Sequence, residues 1–255
     1  MSGAQFWADR VRRYGHTGWS DAAVYAYDQR LRLAALREWL SAQHFPGDAS
    51  ALDFGCGTGD FCALLAEHFA AVVGCDLSPA VLAVAAQRHA SPRIRYTAHA
   101  DAALAQRHAL ILCVTVLQHV VDDAELRALL QRFAAALQPG GQVVVLESFA
   151  SGTPAVNGYL KLRTLESLVA AFASAGLALR SQRGFYHPSE SPTAAFTAYR
   201  RRPLVRLLAR LAPWPLPRVR GWLDRLGAQA AQADRDAMDH AGSPTQWLVF
   251  ARSAA

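Results

Sequence analysis

The 255-residue chain has almost no lysine. Lys161 is the only one, so its 26 basic residues are nearly all arginine. The four cysteines, Cys56, Cys62, Cys75 and Cys113, include no CxxC pair, and no Cys/His cluster has metal-ligand spacing. This argues against a disulfide scaffold and a zinc site, and fits small buried hydrophobes in a reducing compartment. Long apolar runs are missing too. Ala109 to Leu117, broken only by Thr115, is the longest, far short of the roughly 20 residues a spanning helix needs. The start, MSGAQFWADRVRR, carries charge early and has no apolar core, so no secretory signal is expected and a cytoplasmic protein is the default. No repeat or low-complexity linker stands out. What remains is a chain 52% hydrophobic and 18% charged, with net charge +6. It is globular and large enough for one substantial core.

From residue 50 to 147 strand and helix patterns alternate. Strands are expected at 51–54, 71–76, 93–98, 109–116 and 142–148. Helices are expected at 60–70, at 78–90 with Ser78 as N-cap and Pro79 at the first position, and at 122–137 with Asp122 and Glu125 spaced as a capping box. Strands separated by helices predict βαβ units and a mainly parallel sheet covered on both faces, an α/β doubly wound fold. Beyond 148, a helix at 164–177 and strands at 178–186 and 246–253 complete the pattern, and 21–43 reads as a helix preceded by the aromatic-rich loop YGHTGWSD.

The stretch ALDFGCGTGDF, residues 51–61, joins a strand to a helix through Gly55, Gly57 and Gly59. Such a turn presents backbone N–H groups where ligands bind in open α/β sheets. Its G-x-G-x-G spacing puts Asp60 where a dinucleotide site has its third glycine, and no GK[ST] follows to make a P-loop. Asp53 and Asp60 would repel a pyrophosphate, by on the order of 4 kcal/mol per charge pair at about 4 Å and an effective dielectric near 20. The ligand is therefore expected to be cationic or zwitterionic beside the loop. Asp76 stands 17 residues after Gly59, at the end of the second strand, where an acid can take both hydroxyls of a ribose. Taken alone, an Asp after a strand is a turn residue.

LDFGCGTGDF followed by VVGCDLS resembles the first two motifs of the class I S-adenosylmethionine-dependent methyltransferases. HADAAL, LILCVTVLQHV and LQPGGQVVVLE resemble their third-strand, fourth-strand and fifth-strand motifs. The resemblance covers residues 50 to about 180 plus the final strand. It implies a Rossmann-like fold with a seven-stranded sheet, S-adenosylmethionine as cofactor, and a small-molecule methyl acceptor. By the same resemblance Gly55, Gly57 and Gly59 admit the methionine part of the cofactor, and Asp53 faces its ammonium, directly or through water. Asp76 binds the ribose with Leu77 beside the adenine, Asp101 and Ala102 lie at the adenine edge, and Thr115 is near the methionine and sulfonium region. Arg32 is a candidate for the cofactor carboxylate, with Arg30 two residues away. The organisation expected is one methyltransferase domain: a helical cap at 1–48, a cofactor-binding core at 49–183, a helical lid insertion at 184–245 and the final strand at 246–255.

A hydroxyl acceptor needs a base. His119, after the fourth strand, is the first candidate, and Glu147, His16 and Tyr14 are others, with Tyr159 behind them. Transfer by proximity alone is also open. Trp7, Tyr14, Trp19, Tyr25 and Tyr27 suit the wall of a pocket for an aromatic or lipophilic acceptor. The stretch 199–220 is rich in arginine and has no acid. Leu204, Leu207, Leu208 and Leu211 share helical spacing there, with Arg206 and Arg210 on another face. A lid over the pocket is the favoured reading, with weak membrane-surface contact and an anionic or nucleic-acid partner as rivals. Without an RNA-binding module, no nucleic-acid partner is expected. The function expected is methyl transfer to a hydroxyl oxygen of a biosynthetic intermediate. The residues leave open N- or C-methylation, an RNA substrate, a non-catalytic cofactor-binding regulator, and the oligomeric state.

Overall fold

The computed structural model describes residues 2–186, 203, 204, 207, 217–233 and 242–253. Two helices come first. α1 (Gly3–Tyr14) starts at Ser2, whose hydroxyl accepts the Gln5 N–H, and stops at Gly15, whose φ of 78° is a left-handed C-cap. α2 (Ala22–Ser41) is capped by Asp21, which accepts from the N–H groups of Ala23 and Val24. The sheet domain follows: β1 (Ser50–Phe54), α3 (Asp60–Leu65), β2 (Ala71–Cys75), α4 (Pro79–Arg88), β3 (Ile94–Thr97), α5 (Ala100–Leu104) and β4 (His108–Val114). After a 3₁₀ turn at Leu117–His119 come α6 (Asp123–Ala136), β5 (Leu137–Ser148), β6 (Ala155–Asn157), β7 (Leu160–Leu162), α7 (Leu165–Ser174), β8 (Leu177–Gly184), α8 (Pro217–Ala233) and β9 (Thr245–Arg252).

Seven strands form one sheet in the order β3-β2-β1-β4-β5-β9-β8, and β6 and β7 form a separate hairpin. β1 pairs in parallel with both β2 and β4, while β9 runs antiparallel between β5 and β8. The order reverses between β1 and β4, the switch point at which doubly wound sheets open a crevice. β4 is buried along its whole length, and its side chains alternate between two cores. Leu110, Leu112 and Val114 join α2 and α3 on one face, and Ile111 and Cys113 join α6 and α7 on the other. All four cysteines are buried and free. No helix among the described residues is long and apolar enough to cross a membrane.

The doubly wound, mainly parallel sheet agrees with the sequence reading, and the differences are local. The helix expected over 60–70 ends at Leu65, although Phe69 still packs in the core. Ser78 occupies the N-cap of α4, but its hydroxyl makes no capping bond. Asp122 does cap α6, accepting from Ala124 and Glu125 N–H groups at 2.7 and 2.8 Å. β5 begins at Leu137, which pairs with His108. The Pro139–Gly141 stretch then breaks the register, and regular pairing resumes at Gln142. α5 and the β6–β7 hairpin were not anticipated, and α1 falls inside the helical cap expected at 1–48, where only the helix over 21–43 had been placed. Of the stretch 199–220, only 203, 204, 207 and 217–220 are described, so the expected leucine and arginine faces fall largely outside the described residues. α8 packs on α2, where a Cβ on Gly227 would stand 2.6 Å from the Ala23 carbonyl oxygen.

Candidate active site

A cavity of about 640 Å3 opens at the carboxyl ends of β1, β2 and β4. Its floor is the glycine turn. Gly55, Gly57 and Gly59 all have positive φ, at 78°, 51° and 84°. The N–H groups of Gly55 and Cys56 both reach the Cys75 carbonyl, at 2.7 and 2.9 Å, which pulls the turn under the end of β2. A Cβ on Gly55 would lie 2.2 Å from Val116 Cγ2, and one on Gly57 would lie 2.8 Å from Thr17 Oγ1. Gly55 and Gly57 line the cavity, and Gly59 sits behind it under Tyr96.

Asp76 stands beside this turn. Its Oδ2 accepts the Gly57 N–H at 3.1 Å, and its Oδ1 accepts the Ser78 N–H at 3.0 Å. Burial raises its pKa, and the two N–H groups oppose that rise. Leu77 lines the cavity next to it with Ala98 and Ala100. Asp53 does not reach the cavity. It is 1% exposed beneath the turn and accepts the Cys62 thiol at 3.2 Å. Burial pushes its carboxyl up to about 7, against the Cys62 hydrogen bond and with the Asp76 and Asp60 charges adding to the rise.

Asp60 proves to be a hub. One oxygen accepts from Tyr25 Oη at 3.1 Å, Gln29 Nε2 at 3.3 Å and Thr58 Oγ1 at 3.2 Å. The other lies 3.1 Å from His89 Nε2. These bonds tie α2 and α4 to the start of α3. A second network lies deeper. Asp28, 2% exposed, accepts from Trp19 Nε1 at 2.8 Å, from Arg32 at 2.8 Å and from the Tyr186 hydroxyl. Arg32 lines the cavity and reaches Thr115 Oγ1 at 3.4 Å. Burial alone would lower its pKa, but Asp28 and Tyr186 more than offset this and lock it as a cation. Thr115 is the one described non-glycine residue with positive φ, at 53°, a conformation that costs of order 1–3 kcal/mol and persists only where the surroundings impose it. Asp28 had a legible signal, being four residues before Arg32 on one helix face. Asp60 had none beyond its place after the glycines.

At the other end of the cavity stands His119. Its Nδ1 lies 3.1 Å from the Tyr159 carbonyl oxygen. A carbonyl only accepts, so Nδ1 carries the hydrogen and the neutral ring leaves its Nε2 lone pair free. Burial lowers the His119 pKa, and the Tyr159 carbonyl opposes the change. Tyr159 stacks on the imidazole at 5.7 Å, Trp7 meets it edge-on at 5.1 Å, and Phe6 packs against Tyr159 at 4.8 Å. The described roof is thus α1, the loop through Thr17 to Ser20, and the β6–β7 hairpin; no described residue of the 184–245 insertion lines the cavity.

Several expected residues stand elsewhere. Asp101 opens α5 and turns to α6, where its carboxylate meets Arg132 at 2.5 Å and is 95% exposed. Neither it nor Ala102 lines the cavity; Ala100 does. Glu147 is 2% exposed and accepts the Val116 and Leu117 N–H groups on one oxygen at 2.8 and 2.7 Å. Burial raises it to about 7, against those N–H groups and Arg32. It braces the loop after β4 and does not line the cavity. Tyr14 and His16 also lie outside the lining. His16 stacks on Tyr25 at 3.5 Å, and Tyr14 sits under Arg10 and Arg13. Of the aromatic wall expected, Trp7, Trp19 and Tyr25 line the cavity, whereas Tyr27 is core.

Residues 25–185 match a family model described as a methyltransferase domain. The chain is 36% identical over 129 residues to the dTDP-3-amino-3,6-dideoxy-alpha-D-glucopyranose N,N-dimethyltransferase of Streptomyces fradiae, covering 50% of each chain. It is 30% identical over 189 residues to the ubiquinone biosynthesis O-methyltransferase of Nitrobacter winogradskyi, covering 64% of this chain and 66% of that one. The chain spans about half the length of the first curated relatives it matches. In fold it is similar to the phosphoethanolamine N-methyltransferase 2 of Haemonchus contortus solved with S-adenosyl-L-methionine. The TM-score there is 0.60 at 16% identity, covering 97% of this chain and 60% of that one.

Proposed function

The chain belongs to the class I S-adenosylmethionine-dependent methyltransferases, and on that premise we propose that it transfers a methyl group to a hydroxyl oxygen of a small biosynthetic intermediate. The observation that carries this reading is one cavity holding both an anchored carboxylate at the glycine turn and a histidine of fixed tautomer.

S-adenosylmethionine is the cofactor, and the donor set fits it. Two backbone N–H groups hold Asp76 still while its oxygens keep lone pairs for two adjacent ribose hydroxyls. Leu77, Ala98 and Ala100 give an apolar slot for the adenine. The cradle at Gly57 has no room for a Cβ, and Arg32, whose Nε is buried without a partner, is the cation for the cofactor's carboxylate. Asp53 and Asp101 drop out of direct contact. The cavity volume lies within the range of ligand sites. When bound, the cofactor supplies a methyl carbon made electrophilic by its sulfonium.

The protein's own part is to place the acceptor and take its proton. His119 Nε2 accepts the proton of the acceptor hydroxyl, while the Tyr159 carbonyl holds Nδ1–H and keeps the ring turned. Trp7 and Tyr159 flank the imidazole and keep water from it. Glu147 fixes the loop that carries His119. Aligning the reactants can supply about 7–11 kcal/mol of the barrier, more than proton transfer contributes. An amine acceptor is the second reading, favoured by the 36% identity to a protein named as a sugar N,N-dimethyltransferase. The test is transfer of labelled methyl from S-adenosylmethionine into extracts of the source cells, with mass spectrometry of the product. A labelled O-methyl product is expected, and a labelled amine would overturn the oxygen assignment.

A further inference from the structure

Three carboxylates, Asp28, Asp60 and Asp76, and two guanidiniums, Arg10 and Arg32, line the cavity. Asp28, Asp60 and Asp76 are each held by the donors described above, and Arg32 is paired with Asp28. Arg10 also lines the cavity, half-buried on α1, and no carboxylate among the described residues meets it. Its Nε donates to the Thr17 carbonyl at 3.2 Å, and its second nitrogen donates to the Gly18 carbonyl. A guanidinium has five N–H donors, so these bonds leave three. Two neutral carbonyls fix its direction without neutralising it. Phe6 and Tyr14 lie 5.9 and 5.3 Å from the guanidinium carbon and confine it further.

Holding a cation half out of water has a cost that an anionic ligand would offset. The planar fork suits a carboxylate in bidentate contact. Arg10 also shares α1 with Phe6 and Trp7, the rings that pack on Tyr159 and His119. The cation and the base therefore stand on one wall, separated by aromatic surface.

Resting on the methyltransferase reading above, we propose that the acceptor is a hydroxylated carboxylic acid with an aromatic or apolar body, its carboxylate held by Arg10 and its hydroxyl directed to His119. A neutral acceptor would leave Arg10 without a carboxylate partner when the cavity fills.

The test is calorimetry on the full chain with saturating S-adenosylhomocysteine. The probes are two matched pairs: 4-hydroxycinnamate with its amide, and 3,4-dihydroxybenzoate with its amide. Wild type is expected to bind at least one acid tenfold or more tighter than its amide. Arg10→Met should abolish that preference and Arg10→Lys should keep part of it, both with S-adenosylmethionine affinity unchanged. A preference for the acid below tenfold in both pairs, no detectable binding included, overturns the proposal, and the wild-type comparison decides this even if Arg10→Met fails to fold. A folded Arg10→Met that loses S-adenosylmethionine affinity as much as acid affinity also overturns it, because Arg10 would then serve the cofactor or only latch the loop. Failure of wild type to bind S-adenosylmethionine sinks the methyltransferase reading itself, a separate result.

Discussion

At the scale of single residues, the proposed chemistry turns on a tautomer. The Tyr159 carbonyl, a group with no proton to give, sets which nitrogen of His119 is free to act as base. In the proposed reaction the working form is the neutral imidazole, and burial lowers its pKa below the ordinary 6.5. Rate should therefore fall only on the acid side, through a pKa below 6.5, and stay level above it. His119→Gln should cut turnover by about 10²–10⁴-fold and remove that acid limb. A pH–rate profile of the variant that keeps the limb, or near-normal turnover, would make His119 a bystander. The place of His119 at the cavity was legible in the sequence because it follows the fourth strand. Glu147, Tyr14 and His16 were not separable from it by sequence, since all four have suitable chemistry near the expected pocket. Of the four only His119 lines the cavity, and that placement belongs to the folded chain. Asp101 fails for a similar reason: its sequence position fits the family motif, but Arg132, 31 residues away, holds its carboxylate outside.

At the scale of elements, the loop between β4 and α6 is held from behind. Glu147 lies on β5, in the strand next to β4, and one of its oxygens takes two N–H groups of that loop. Glu147→Ala strands both donors, and each buried unsatisfied donor costs about 1–3 kcal/mol. Urea denaturation should show a loss of that order, and Glu147→Gln, which keeps an acceptor oxygen, should lose less. Equal stability of all three proteins would remove the bracing role. The core strands and the helices α4, α6 and α7 were legible because their apolar periods and caps are local. α5 was not, because five residues carry too little pattern. α1 was legible only as part of a helical cap over 1–48, because its apolar face closes on a cavity that only the fold creates. The helix expected to 70 stops at Leu65 although its apolar spacing continues through Phe69; the sheet core takes Phe69 from a turn instead.

At the scale of the whole molecule, a doubly wound sheet concentrates its ligand chemistry at one switch point, between β1 and β4. The same burial that shapes that point raises the pKa of Asp53. Its carboxyl titrates near 3.8 when unperturbed and at about 7 in the fold, with burial as the main cause. A raised folded pKa gives stability that is full below about 4 and is lost as pH rises through about 7. Asp53→Asn has no such loss. The variant's stability relative to wild type should therefore climb between pH 4 and 7 and then level off, as read by urea midpoints across that range. A constant difference would mean that Asp53 is charged throughout. The fold class and the turn at residues 55–59 could be read from the sequence, whereas the roof over the cavity depends on α1 and a hairpin that only the assembled molecule positions. The central claim is that this cavity holds S-adenosylmethionine through Asp76, and calorimetric titration of Asp76→Ala with S-adenosylmethionine tests it most directly. A folded variant that binds at least tenfold more weakly than wild type, a loss of about 1.4 kcal/mol, is the predicted result. Unchanged affinity would contradict the account.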